Sequence, residues 1–265
     1  MSKHFELLQQ IENERSFGTE SDAGVSIAPI PEIHHSTEIH HSRAIHHSSE
    51  AIHHSAEGWA SDEAQRLVQQ IFLLQSQEPP RVVTFAGVDH GNGCSHICAA
   101  VAQTLARNDR GRVCLVEANF RSPTLPEMFG VPNHFGLTEA LLRDGPVGNF
   151  AKPVQQTNLW LLSSGTVAVD SFNLLASDHL RTRVDELRAH FDFVIIDAPP
   201  LNRYSDAVVL GQLSDGLVMV IEANTTRREA AAAVAENLRS AKVPILAAVL
   251  NKRTFPIPQS IYKML

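Results

Sequence analysis

The residues best suited to chemistry in this sequence form a glycine-containing turn at positions 87–96. An apolar run at 82–86 leads into the turn, and an alanine-rich helical pattern follows it. In a strand, turn and helix of this kind, successive backbone N–H groups and the helix N-terminus form an anion site that suits phosphate. The alternative is a plain strand-to-helix turn whose glycines allow close packing. The candidate phosphate-binding residues are Gly91, Asn92, Gly93, Cys94, Ser95 and His96.

The turn matches only part of the phosphate-loop signature G-x-x-x-x-G-K-[ST]. Gly93 and Ser95 stand at the second glycine and at the hydroxyl position. Val88 replaces the first glycine, and Cys94 replaces the lysine. That lysine brings a positive charge to the β- and γ-phosphates, which a thiol cannot supply. We therefore expect weakened transition-state stabilisation even where phosphate binding survives.

Short apolar runs alternate with helical patterns from about residue 59 onward. Nearly continuous apolar runs are typical of parallel strands that are covered on both faces. The predicted strands are 82–86, 113–116, 159–162, 193–196, 217–221 and 245–250. The predicted helices are 95–108, 137–143, 178–190 and 227–241. Repeated strand–helix–strand units predict an α/β fold, with a mostly parallel sheet sandwiched by helices.

Two further segments place acidic side chains beside these strands. Residues 115–123 have the sequence LVEANFRSP, and residues 191–200 have the sequence FDFVIIDAPP. With the turn, they resemble the cytoplasmic domain of bacterial tyrosine kinases that regulate capsule and exopolysaccharide assembly. That family carries P-G-E-G-K-S-T, then L-[IV]-D-x-D-x-R-x-P, then [FY]-D-x-[VI]-I-[IV]-D-x-P-P. The order and spacing match throughout, and the resemblance covers about residues 59–252.

The resemblance implies a P-loop NTPase-like fold with a deviant Walker A loop, similar to the MinD and ParA ATPases. ATP or ADP and Mg²⁺ are the ligands it implies. It assigns the catalytic positions to Glu117, Asn119 and Asp197, and the Mg²⁺ ligands are then Ser95, Glu117 and Asp197. Asn119 is neutral and cannot act as a base, whereas glutamate can still reach Mg²⁺. Asp197 alone is retained intact, and its alternative role is to turn the chain before two prolines.

Three other family features are only partly present. Related ATPases suggest Asn251 as an adenine contact, although it could simply end a strand. The C-terminal tyrosine cluster is missing, because only Tyr262 lies in the tail. The assembly helix E-x-x-R-x-x-R appears as Glu63, Arg66 and Gln69, without its final charge. Homo-oligomers are therefore left open.

The first 58 residues differ in composition and hydrophobic pattern from the rest of the chain. Residues 1–17 show the spacing of a short amphipathic helix. Residues 18–58 are a low-complexity linker, for which we expect disorder, and residues 59–265 form the kinase-type domain. The linker carries four IHHS repeats, which begin at Ile33, Ile39, Ile45 and Ile52. Their histidines suggest either a solvated tether or a segment that responds to metal or pH.

Composition restricts the class of protein. The net charge is −7 and dense Lys/Arg blocks are missing, so we expect no nucleic-acid partner. Three cysteines do not suit a disulfide framework, and the apolar runs are far shorter than the roughly 20 residues of a membrane span. We expect a cytoplasmic protein, peripheral to the inner membrane only through a partner.

A zinc site is a separate hypothesis, with His90, Cys94, His96 and Cys98 as ligands and packing of small cysteines as the alternative. For function we favour a degenerate kinase-like regulator or nucleotide sensor in polysaccharide synthesis or export. A membrane co-polymerase, or chain-length determinant protein, would recruit it. The competing hypotheses are an active tyrosine kinase or ATPase, with Lys252 or Arg121 as substitute cation, and a metal- or pH-responsive scaffold built on the histidine tail.

Overall fold

The computed structural model describes residues 62–73, 79–108, 111–154, 157–166, 174–175 and 177–253. The predicted amphipathic helix at 1–17 and the histidine-rich linker at 18–58 lie outside the described residues. Tyr262 lies outside them as well. These three predictions remain predictions.

Seven strands form one sheet in the order β3-β4-β2-β5-β1-β6-β7. All neighbouring pairs are parallel except β3 and β4, which are antiparallel. The strands are β1 Val82–Gly87, β2 Val113–Glu117, β3 Lys152–Pro153, β4 Leu159–Leu162, β5 Phe193–Ala198, β6 Gly216–Glu222 and β7 Ile245–Asn251. The mostly parallel α/β architecture predicted from the sequence is confirmed.

The central strands are buried on both faces. All six residues of β1 and all five of β2 are buried, which explains why their sequences show no polar alternation. Successive side chains still point to opposite faces. Val83 and Phe85 therefore join one apolar cluster, while Val82 and Ala86 join the other.

The helices form a layer on each side of the sheet. A helix at 62–68 (α1), which continues as a π-helical segment at Gln69–Leu73, packs on one face together with α2 and α3. The helices α4 to α7 contribute to the cluster on the other face. The helices are α2 Cys94–Arg107, α3 Leu125–Phe129, α4 Leu137–Leu142, α5 Asp178–His190, α6 Asp206–Leu213 and α7 Arg228–Ser240.

Several features of the fold were not predicted. The helices α3 and α6 and the short antiparallel strand β3 are absent from the sequence-based prediction, whereas the six long strands and four helices agree within a few residues. The assembly-helix motif does lie on a helix, where Arg66 pairs with Glu63 at 3.4 Å between two exposed side chains. None of the helices in the described ranges combines the length and the apolar character that a membrane span requires.

The strand order reverses direction around β1. From β1 the chain passes through α2 to β2, which lies beyond β5, while β6 lies on the other side of β1. In open α/β sheets, ligands bind outside the carboxyl ends of the strands at such a switch point. The fold therefore favours a ligand site at the turn between β1 and α2.

Candidate functional site

The turn between β1 and α2 has a backbone that only glycine adopts easily. Gly91 and Gly93 have φ angles of 84° and 82°. Asn92, between them, is buried, and its Oδ1 accepts a hydrogen bond of 2.7 Å from the backbone N–H of Asp89. Left-handed residues within such a turn direct neighbouring N–H groups toward one concave side. The first amides of α2 also lack intrahelical partners, so the turn can accept an anion.

The last strand of the sheet holds this turn in place. Asn251 Nδ2 donates to the carbonyl of Asn92 at 2.8 Å, and Lys252 Nζ donates to the carbonyl of Gly91 at 2.7 Å. The same ammonium pairs with Glu222 at 3.1 Å. A side chain at Gly93 would meet the amide of Asn251. The ends of β6 and β7 thus fix the shape of the turn.

The two retained acids lie side by side under the turn. Glu117 ends β2 and pairs in register with Asp197 on β5. Strand alternation places both side chains on the face that α2 covers, and both are fully buried. Glu117 Oε2 accepts hydrogen bonds from the backbone N–H groups of Thr124 and Leu125, at 3.0 and 2.7 Å. Burial and the charge of Asp197 raise the pKa of Glu117 to about 8, although the hydrogen bonds from these two amides lower it in part.

Asp197 is surrounded by the first turn of α2. The Cys98 thiol donates to its Oδ1 at 3.7 Å, and Ser95 lies close enough to the carboxylate to influence its pKa. Burial raises the pKa of Asp197 to about 6, and the hydrogen bonds from Ser95, Cys94 and Cys98 limit the rise. The hydrogen bond with Cys98 lowers the pKa of the half-buried Cys94 thiol, but burial and the charge of Asp197 outweigh it and raise that pKa to about 11. Burial also raises the pKa of Cys98.

Three buried oxygens at this site have no hydrogen-bond partner. They are Glu117 Oε1, Asn119 Oδ1 and Asp197 Oδ2. A buried carboxylate oxygen without a donor is costly, and a cation offers the missing interaction. Oxygen donors of this kind suit Mg²⁺. The structure thus brings together the three predicted Mg²⁺ ligands, Ser95, Glu117 and Asp197, although their role is still a prediction.

A cavity of about 270 Å³ opens above these groups. Its lining includes the turn, Ser122 and Thr124, Asp197, and Lys252 as the sole lysine or arginine. The other proposed substitute cation, Arg121, pairs with Asp206 at 3.3 Å and stacks at 3.8 Å on the ring of Tyr204. Since the lysine of the usual signature is replaced by Cys94, the cavity combines the buried carboxyl group of Asp197 with one cation that is already paired.

The remaining predicted residues are His90 and His96, which line the cavity, and Asn251, which does not. His90 and His96 line the cavity with exposed side chains, but they do not join the cysteines in one cluster of metal-ligating groups. Asn251 contacts the turn instead of lining the cavity. Sequence analysis missed Glu222, which joins Lys252 to the side chain of Asn92. It also missed the contact between Cys98 and Asp197, which the spacing of Cys94 and Cys98 on one helix face could have suggested.

The site and fold define a P-loop α/β protein, and comparison with known proteins places it more narrowly. No family model matches the chain. Tyrosine-protein kinase YwqD of Bacillus subtilis is 33% identical over 161 residues, which cover 61% of this chain and 68% of that protein. The putative tyrosine-protein kinase CapB of Staphylococcus aureus is 26% identical over 202 residues, which cover 76% and 88%. The chain therefore belongs to the bacterial tyrosine-protein kinase family.

Solved structures agree on the fold. The chimerical protein CapA2B2 superposes with a TM-score of 0.70 at 22% identity, covering 78% of this chain and 91% of the other. A ParA family ATPase from Chlorobium tepidum superposes with a TM-score of 0.57 at 17% identity, covering 65% and 74%. The P-loop NTPase-like fold, similar to both kinase domains and ParA-like proteins, is thereby confirmed.

Proposed function

We propose that this chain is a nucleotide-sensing, regulatory member of its family that has lost most of its catalytic power. It would act in capsule or exopolysaccharide synthesis or export. The observation that carries the proposal is the half-buried thiol of Cys94 at the position of the phosphate-loop lysine, directly beside the buried carboxyl group of Asp197. An enzyme that transfers a phosphoryl group needs positive charge at this point.

The residues present fit Mg²⁺ and a phosphate in part. Ser95, Glu117 and Asp197 would hold the metal ion, because they offer hard oxygen donors and two of those oxygens are buried without partners. The amides of the turn would hold the phosphates. A bound Mg²⁺ supplies charge neutralisation to the phosphates. No side chain of the turn supplies a second cation, so binding should survive better than turnover.

An active kinase or ATPase is the alternative from the same pathway, with Glu117, Asn119 and Asp197 at the catalytic positions. The position of Lys252 at the cavity is the observation in its favour. Against it, the Lys252 ammonium already donates to Gly91 and pairs with Glu222. Asn119 also cannot accept a proton as a base does.

Calorimetric titration with ATP and ADP, with and without Mg²⁺, tests nucleotide sensing. We expect measurable binding that requires Mg²⁺ and that weakens in Asp197→Ala. A radiolabel transfer assay with the same two proteins tests turnover. Binding without turnover above the Asp197→Ala control supports the proposal, clear turnover establishes the enzyme, and the lack of any binding contradicts both.

Restoring the lysine gives a sharper comparison. In Cys94→Lys the ammonium can donate charge-assisted hydrogen bonds to the phosphates, each worth about 1.5–3 kcal/mol. We expect Mg·ATP to bind about 10- to 100-fold more tightly. Cys94→Met is the matched control, since it adds length without charge. Equal gains in both variants would show that charge is not what the turn lacks.

Partners and location follow from family resemblance alone. We propose that a membrane polysaccharide co-polymerase recruits this chain, which otherwise resides in the cytoplasm, and that the exposed pair Glu63 and Arg66 on α1 contributes to homo-oligomers. Pull-down with such a co-polymerase tests recruitment, and consistent failure to associate would count against it. Deletion of residues 31–57 tests the histidine-tail scaffold, which predicts altered localisation or metal binding.

A further inference from the structure

Two thiols and a carboxylate converge beneath the phosphate-binding turn. Cys94 and Cys98 are four residues apart on α2, so their side chains lie on one face of the helix. That face meets Asp197 at the end of β5. One ligand atom from each residue, two sulfurs and one oxygen, lies within 4.8 Å of both others. In the described part of the chain, no other group of three or more metal-ligating side chains comes as close.

A second observation points to a missing cation. Asp197 is fully buried, and its Oδ2 has no hydrogen-bond partner. The neighbouring Glu117 is fully buried as well, and its Oε1 also has no hydrogen-bond partner. Packing of small cysteines explains the burial of the thiols, but it does not explain why one oxygen of each carboxyl group is buried there without a donor. A positive ion bound between the sulfurs and the Asp197 carboxylate would give this buried, incompletely hydrogen-bonded group a charged partner.

We propose that Cys94, Cys98 and Asp197 bind a thiophilic divalent cation of the zinc type, with its fourth position open to the cavity above. Thiolate ligands select Zn²⁺ over Mg²⁺, which prefers oxygen. At the usual Zn–S distance of about 2.3 Å and Zn–O of about 2.0–2.2 Å, tetrahedral ligand atoms lie roughly 3.3–3.8 Å apart. The distance of 3.7 Å between Cys98 Sγ and Asp197 Oδ1 already falls in this range.

The ion would lie directly beside the position from which the signature lysine is missing, but it would not replace the charge of that lysine, because proton release balances the charge of the ion. The two thiols release their protons to solvent as the two metal–sulfur bonds form, so binding yields two protons per ion. These ligands differ from the zinc ligands predicted from the sequence, because Asp197 takes the place of His90 and His96. Metal binding here does not require a nucleotide or a phosphate in the turn.

Cobalt substitution tests the site on the full chain. The protein is stripped with a chelator under reducing conditions and titrated with Co²⁺, which is then displaced by Zn²⁺. Thiolate ligands produce a near-ultraviolet sulfur-to-cobalt charge-transfer band, which the imidazoles of the IHHS repeats cannot produce. We expect this band to saturate at one ion per chain and to disappear on addition of Zn²⁺.

Variants assign the ligands. We expect Cys94→Ser and Cys98→Ser each to diminish the band and weaken Co²⁺ binding by at least about tenfold, since even outer-shell partners of a metal are worth about 10- to 100-fold. Cys114→Ala is the matched control, because Cys114 is buried in β2 on the opposite face of the sheet and should leave the band unchanged. A band that persists without Cys94 and Cys98, or that is missing in the unmodified protein, overturns the proposal.

X-ray absorption at the zinc edge provides a measurement that needs no variant. In the unmodified chain loaded with one equivalent of Zn²⁺, two sulfur neighbours at about 2.3 Å support the site. A shell of nitrogen and oxygen alone would assign the zinc to the histidine repeats and refute the inference.

Discussion

Replacing Glu117 with glutamine is expected to change how the stability of the domain depends on pH. Burial and the neighbouring Asp197 raise the pKa of Glu117 from 4.5 to about 8. Between these values the unfolded chain has released this proton while the folded chain still holds it. The stabilising contribution is therefore complete below the unfolded pKa and is lost as the pH rises toward the folded one.

The magnitude follows from proton linkage. Between pH 5 and pH 7 the folded carboxyl remains mostly protonated, whereas the unfolded one is mostly ionised, so the free energy of unfolding falls by about 2 kcal/mol from this group alone. Glutamine does not titrate in this pH range, and its side-chain carbonyl oxygen can still accept the hydrogen bonds from the backbone N–H groups of Thr124 and Leu125. Asp197 titrates in both proteins. The difference in stability between Glu117→Gln and the unmodified protein should therefore grow by about 2 kcal/mol over this range, in favour of glutamine.

Urea unfolding at several pH values, with a chelator present throughout, measures this difference. Glu236→Gln is the matched control, because that side chain is 70% exposed in a surface ion pair and its curve should run parallel to that of the unmodified protein. A Glu117→Gln curve that also runs parallel between pH 5 and pH 7 would refute the assignment of a buried, protonated carboxyl to this position.

Three further perturbations test the architecture around the site. Gly93→Ala should lower the free energy of unfolding by more than the roughly 1–2 kcal/mol of left-handed backbone strain, because the new Cβ also meets the Asn251 amide. Gly91→Ala has open space around the new Cβ and should lower it by the strain alone. Urea unfolding of both variants measures the difference. Partial burial opposes ionisation of Asp215, but two backbone amides and an arginine outweigh it and lower its pKa. Its stabilising contribution is present above the unfolded pKa and lost as the pH falls through the folded one, so acid titration of Asp215→Asn should show a flatter loss of stability. Lys252→Met should reduce stability by less than about 1 kcal/mol but speed hydrogen exchange at residues 89–92, and unchanged exchange would show that the ammonium does not hold the turn.

The sequence predicted the sheet well because its strands are covered on both faces. Buried parallel strands such as β1 and β6 show as uninterrupted apolar runs. The helix α6 was missed for the same reason, since its sequence DAVVLGQL has an apolar run without a polar face at helical spacing. The helix α3 has only five residues and includes a proline, and β3 has only two, so neither provides enough residues for a periodic pattern.

The site was predictable where it depended on one segment and unpredictable where it joined several. Asp197 and Ser95 follow from motifs with fixed spacing. The unpartnered oxygens of Glu117 and Asp197 depend instead on the register between β2 and β5, which the sequence does not state. The hydrogen bond from Lys252 to Gly91 spans 161 residues, so no local pattern indicates it.

That long connection between β7 and the turn also has a consequence for biosynthesis. Domains begin to fold while the ribosome is still releasing the chain from the N-terminus. The segment at 87–95 emerges early, but two of the bonds that shape it come from Asn251 and Lys252, more than 150 residues later. The strands β1 to β6 therefore emerge before the residues that fix this turn, and a translation product that stops short of β7 would lack these two restraints on the turn.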